Sequence, residues 1–254
     1  MNEDVTERKL SESRLKLAKE ILETLNRPND IVKLIEDILG MVKEHTRVEA
    51  IGIRLKEGED YPYSVTNGFS ADFLETEKRL CARDDAGAIA RDAQGHPILE
   101  CLCGDVLCER TDSALPFFTA AGSFWTNSTT ELMASTSNDR KIFRNRCNSE
   151  GYESVTLIPL RARGEIIGLL QLNDSRPNAF SPERIHFFEG IAASIGVAVS
   201  RLRSSEALSE SFEKLRRSID DTIRAMGLIW KQETPIPQVT RRGSPTWLWP
   251  LAKS

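Results

Sequence analysis

The residues of this 254-residue chain best suited to chemistry are its five cysteines and one aromatic run. Cys101, Cys103 and Cys108 stand together in Ile98-Leu-Glu-Cys-Leu-Cys-Gly-Asp-Val-Leu-Cys-Glu109, with Cys81 before them and Cys147 after. Gly104-Asp105 suits a two-residue type II′ hairpin turn. Such a turn pairs Cys101 with Cys108 across the ladder, opposed Cβ atoms roughly 5 Å apart, and puts Cys103 on the same face. Three thiols in one patch, with Cys147 or Cys81 as a fourth, admit three readings. Thiolates are ligands for zinc or an iron–sulfur cluster, although C-x-C-x4-C lacks the common C-x2-C knuckle. Alternatively the thiols form a redox-reactive pair, with Arg144 and Arg146 lowering the pKa of Cys147. In the third reading they are free cysteines packed as small hydrophobes beside Leu99.

The aromatic run is Pro116-Phe-Phe-Thr-Ala-Ala-Gly-Ser-Phe-Trp-Thr-Asn127-Ser-Thr-Thr-Glu131. Phe117, Phe118, Phe124, Trp125 and Asn127 set aromatic surface beside an amide and hydroxyls, the lining of a small-molecule cavity. The more ordinary use of such a run is a strand followed by a helix capped by Ser128 or Thr129. Neither His45, His96 nor His186 has a Ser, Cys or carboxylate at a spacing that makes a triad. There is no phosphate-binding glycine loop.

The elements that position these groups read from periodicity. Leu15, Ala18, Leu22 and Leu25 follow the 3-4-3 spacing of a coiled-coil seam. Pro28-Asn29-Asp30 breaks and recaps the chain ahead of a second helix with Ile31, Leu34, Ile35, Ile38 and Val42 on one face. From Glu49 the period becomes strand-like, with 50–55 and 63–67 as a hairpin and a short helix over 70–80. Residues 81–150 are irregular. Residues 154–160 and 165–172 form the clearest strand pair, and Ser181-Pro182 opens a long helix. Leu208, Phe212, Leu215, Ile219, Thr222 and Met226 then step 4-3-4-3-4, a second seam. Unbroken to Ile229, that helix spans on the order of 70 Å. The fold class expected is α+β, an antiparallel sheet with helices on one side and long coiled-coil helices at both ends.

Composition bounds the function. With 34 basic and 38 acidic residues the net charge is -4, which argues against a general nucleic-acid binder. No apolar run approaches the ~20 residues that cross a bilayer, so membrane insertion is not expected. The odd cysteine count and the charged N-terminus point to a cytoplasmic protein without a disulfide framework. The Asn127-Ser-Thr sequon is then incidental.

The order helix, hairpin, insert, hairpin, exit helix resembles a GAF domain over about 29–203. Its most specific stretch is Gly168-Leu-Leu-Gln-Leu-Asn173-Asp-Ser-Arg-Pro-Asn-Ala-Phe180-Ser-Pro-Glu183. The resemblance implies a sensory, dimerising and non-catalytic module, with loops enclosing a ligand cavity on the sheet face opposite the terminal helices. Cyclic-nucleotide-binding members tend to carry Lys after the Asn and Asp after the acidic residue. Asp174 and Arg184 stand there instead, which counts against that ligand. Asn173 and Phe180 also have ordinary uses, as a turn former and a core plug.

Asp4-Val5-Thr6-Glu7-Arg8-Lys9 resembles the motif that closes a PAS domain. The exit helix resembles the linker into an HD-GYP phosphodiesterase domain. Beyond it, residues 230–254 hold three of the four tryptophans and four of the eleven prolines, without period. Back-translated and read one base earlier, Glu233 to Thr240 permit D-P-Y-T-A-G-H, similar to the opening of that effector. The expectation is an unstructured, out-of-frame tail. No His follows His186, so the HD dyad is missing and phosphodiesterase chemistry is not expected. The segments expected are thus a linker helix (1–28), the sensory domain (29–203), a coiled-coil linker (204–229) and the tail (230–254). The function expected is reception of a small ligand, metal or redox signal and its relay through a homodimeric exit helix; the alternative is a ligand-free dimerisation scaffold.

Overall fold

The computed structural model describes residues 2–26, 30–135 and 144–233. The helices are α1 (Asn2–Leu25), α2 (Ile31–Thr46), α3 (Ala71–Thr76), α4 (Cys101–Leu107), α5 (Thr129–Ser135), α6 (Arg146–Ser149) and α7 (Pro182–Glu233). The strands are β1 (Ala50–Leu55), β2 (Tyr63–Asn67), β3 (Phe124–Thr126), β4 (Ser154–Ala162) and β5 (Glu165–Asp174). They form one antiparallel sheet in the order β2-β1-β5-β4-β3. This is the α+β class expected.

Strand alternation divides the interior into two cores. Ile51, Ile53, Leu160, Leu170 and Leu172 face α1, α2 and the first turns of α7. Ala50, Val155, Leu157 and Leu169 face the insert, chiefly Phe73, Leu102, Val106, Phe118 and Tyr152. Caps fall where the side chains predict. The Asp30 carboxylate accepts from the Lys33 amide at 2.8 Å, and Ser181 Oγ accepts from the Arg184 amide at 3.4 Å. Arg163 and Gly164, both at positive φ (53° and 87°), turn β4 into β5.

Three expectations change. On α1 the inward residues are Leu17, Ile21 and Leu25, while Leu15 and Leu22 of the predicted seam are exposed. An i, i+4, i+8 face therefore packs on the domain, and Leu25 belongs to the core rather than to a seam. Asn173 is a buried residue within β5, not a turn former. Within α7, residues 182–226 include a stretch long and apolar enough to cross a membrane by length and composition. Counting uninterrupted apolar residues missed it. Much of that surface, including Ile185, Phe188, Ile195 and Val199, is buried against the sheet as core.

Residues 1–205 form one compact unit and 206–254 another. In the second, the described part is helical, with Leu208, Phe212, Leu215, Ile219 and Met226 all more than half exposed. Residues 234–254, most of the expected out-of-frame tail, lie outside the described residues, as do Pro28 and Asn29.

Candidate ligand-binding site

The cysteine segment is a helix, not a hairpin. Leu102, Cys103, Val106 and Leu107 recur at helical spacing and are buried, seating α4 over the sheet. Gly104 serves close approach rather than a turn: a Cβ there would lie 2.4 Å from the Leu99 carbonyl oxygen. The single-face thiol patch is thereby broken up. Cys108 is exposed at the end of α4, and Cys81 lies apart, its thiol donating to the Glu59 carbonyl at 3.2 Å. Cys101 and Cys103 instead meet Cys147 of α6 around a cavity of about 40 Å³, closed by Phe124, Leu132 and Leu157. Gln171 lies between two of these thiols. Cys103 Sγ is 4.0 Å from its Oε1, and its Nε2 is 3.7 Å from Cys147 Sγ.

Burial pushes Cys147 up to about 12 and Cys81 up to about 11, and raises Cys101 and Cys103 as well. The predicted lowering of Cys147 by arginine is overturned, because both guanidinium groups are engaged elsewhere. Arg144 pairs with Glu100 and Glu77, and Arg146 pairs with Asp72 and Glu150. Among the described residues, no three His, Cys, Asp or Glu side chains come together as a metal-binding group.

Beneath α4 the sheet carries a polar floor that the sequence reading did not find. Arg54 is fully buried, its guanidinium carbon 3.6 Å from the Tyr63 ring centroid. It donates to the carbonyls of Tyr61 at 3.0 Å and Glu77 at 2.8 Å, with the Glu77 carboxylate 3.7 Å away. Tyr63 Oη donates to Gln171 Oε1 at 2.8 Å, and Gln171 Nε2 donates to Asn173 Oδ1 at 3.0 Å. Burial raises the Tyr63 hydroxyl. Arg54 Nε, Glu77 Oε1 and Asn173 Nδ2 are buried without a hydrogen-bond partner. The signal was present in Ala50-Ile-Gly-Ile-Arg-Leu55: residues 50, 52 and 54 share the insert-facing side, so Arg54 had to point inward.

The aromatic run divides. Phe118 and Phe124 are buried in the core, stacking edge to face at 5.9 Å between centroids. Phe117, Trp125 and Asn127 line an open cleft of about 520 Å³ along edge strand β3, with α5 on one side and Pro177 and Asn178 on the other. Ser128 caps α5 as expected, its Oγ accepting from the Glu131 amide at 3.1 Å. The Asn127 carboxamide clamps the residue before the α7 cap, accepting from the Phe180 amide at 3.0 Å and donating to its carbonyl at 2.8 Å. Phe180 is a buried core residue, as its ordinary use predicts. Asp174 pairs with Arg176 at 2.7 Å, and Arg184 donates to the Ala179 and Thr46 carbonyls.

No curated protein matches the sequence. Solved structures do match in fold. The GAF domain of a phosphoenolpyruvate-protein phosphotransferase from Coxiella burnetii is 14% identical, with 77% of this chain and 97% of that one covered and a TM-score of 0.53. The corresponding GAF domain from Acinetobacter is 14% identical, covering 75% and 94%, with a TM-score of 0.52. Free methionine-R-sulfoxide reductase from Neisseria meningitidis, solved in complex with its substrate, is 12% identical, covering 76% and 91%, with a TM-score of 0.51. At such identities the likeness is one of fold. The profile of the GAF domain matches residues 30–199, well over half of the chain, and the chain belongs to the GAF domain family.

Proposed function

We infer that this GAF domain is the sensory module of a cytoplasmic signalling protein. It receives a small-molecule, metal or redox signal on the insert side and relays it through α7 to a homodimer. The observation that carries this reading is the apolar seam on 206–226. Leu208, Phe212, Leu215, Ile219 and Met226 are 51–64% exposed at heptad spacing. The positions flanking the seam are Ser209, Ser211, Arg216, Ser218, Ile223 and Ala225, of which Arg216 alone is charged. Identical chains therefore meet there with little like-charge repulsion.

The burial-raised thiols of Cys101, Cys103 and Cys147 speak for binding or packing over thiolate catalysis. The flanking resemblances support reading it as a module that works between a PAS domain and an HD-GYP effector. Sequencing the locus tests the lost frame: an alternative frame without in-register effector codons ends that idea.

A second reading, a ligand-free dimerisation scaffold, draws on the filled sheet face, where the remaining cavity of about 40 Å³ holds little more than a water molecule. Sedimentation velocity tests the relay. A dimer at micromolar concentration is expected, and a monomer there overturns both readings. Native mass spectrometry then separates them, since only the sensor is isolated with, or takes up, a ligand.

A further inference from the structure

The cleft along β3 combines features that the sheet-face interior does not. Its volume of about 520 Å³ is that of a small-molecule site. Phe117 and Trp125 supply aromatic surface, and Glu131 is the only ionisable side chain in its lining among the described residues. The Glu131 carboxylate and the Trp125 indole N–H take no hydrogen bond or ion pair among those residues. A second carboxylate, Glu153, lies one contact away, accepting from Ser128 Oγ at 3.1 Å. The adjacent cation, Arg176, is closed by Asp174. Among the described residues, the site thus offers aromatic faces and negative charge, and no free cation.

The same walls are tied to α7. Asn127 grips the Phe180 backbone, and Thr119 and Ser123, on the turn between Phe117 and Phe124, both donate to Glu189 Oε1, at 2.6 and 2.7 Å. Glu189 lies in the second turn of that helix.

We propose that this edge cleft binds a small organic ammonium compound, its cationic head against Trp125 and Glu131, and passes occupancy to the start of α7 through Asn127 and Glu189. Cation–π attraction and the Glu131 carboxylate select for positive charge, and the net negative charge of the described lining selects against anions such as carboxylates and phosphates. The coupling half rests on the sensory reading above, whereas the ligand class rests on the cleft alone.

The test is isothermal titration of the full chain with benzyltrimethylammonium, and with benzoate as the anionic counterpart. Binding of the ammonium ion alone is expected. It should weaken about threefold or more in Glu131→Gln and about tenfold in Trp125→Leu. Equal binding of benzoate, or unchanged affinity in Glu131→Gln, overturns the ligand class. Circular dichroism of each variant confirms that it is folded, and Glu131→Gln, at an exposed position, keeps the test open if Trp125→Leu unfolds. Amide exchange over 180–189 should slow on binding, and should no longer respond in Glu189→Ala. Binding without that change overturns the coupling. Sedimentation of the same samples separates the two ideas: a dimer that ignores the ammonium ion refutes the cleft proposal and leaves the sensory module standing, while a monomer that binds it refutes the relay and leaves the ligand class intact.

Discussion

Arg54 shows what one residue imposes on this fold. A guanidinium taken wholly out of water demands partners, and it finds the Glu77 carboxylate, two carbonyls and an aromatic face. Arg54→Ala leaves the Glu77 carboxylate buried without that partner. We expect a loss of about 3–5 kcal/mol in urea unfolding, whereas Arg54→Met, which keeps the stem against Tyr63, should lose less. The thiols give a second prediction at this scale. Cys147 is raised from 9.0 to about 12 by burial. A raised thiol favours the folded state fully below its unfolded value and loses that contribution as pH climbs toward the folded one. The melting temperature should therefore fall between about pH 9 and pH 12, and by less in Cys147→Ser than in the parent. If the two chains show the same pH dependence, Cys147 is not the group responsible. At neutral pH an alkylating agent should label exposed Cys108 first and leave Cys103 until unfolding.

At the scale of elements, legibility followed the strength of the local pattern. The pairs 50–55 with 63–67 and 154–162 with 165–174 could be read because alternation and turn residues agree there. Helix α4 could not, because Gly104-Asp105 carries the local signature of a hairpin while the glycine answers to Leu99, a contact made only in the folded helix. The cleft was half legible. Phe117, Trp125 and Asn127 were singled out together with Phe118 and Phe124, and only tertiary packing decides which of them face outward. The polar floor was illegible as a set, since Arg54, Glu77, Gln171 and Asn173 come from distant segments. Gly104→Ala separates local from tertiary control. Helix propensity alone would make it stabilising by about 1 kcal/mol. The contact with Leu99 should instead make it destabilising by about 1–3 kcal/mol, read as a lower melting temperature.

For the whole molecule the question is what the seam of residues 206–226 meets. Six heptad positions would make only a short interface, so the proposed association should depend on concentration and yield to a single buried charge. Phe212→Glu should shift sedimentation to the monomer without changing the near-ultraviolet circular dichroism of the 1–205 unit. A variant that stays dimeric would place the contact elsewhere, with exposed Leu15, Leu22 and Val197 the next surface to test.

Midway along the packed part of α7, Gly196 lies so close to the end of β4 that a Cβ would come within 2.3 Å of the Arg161 carbonyl oxygen. On either side the helix rests on side chains, which can change rotamer; here main chain lies against main chain and has no such slack. The first turns, held by Asn127 and Glu189, and the turns after Gly196 are thus separated by a stiff point of support. A small tilt imposed at Phe180 is then not absorbed by repacking along the helix. Under the proposed relay, such a tilt would turn about Gly196 and carry residues 197–205 in the opposite sense, giving the fold a fulcrum as well as a lever.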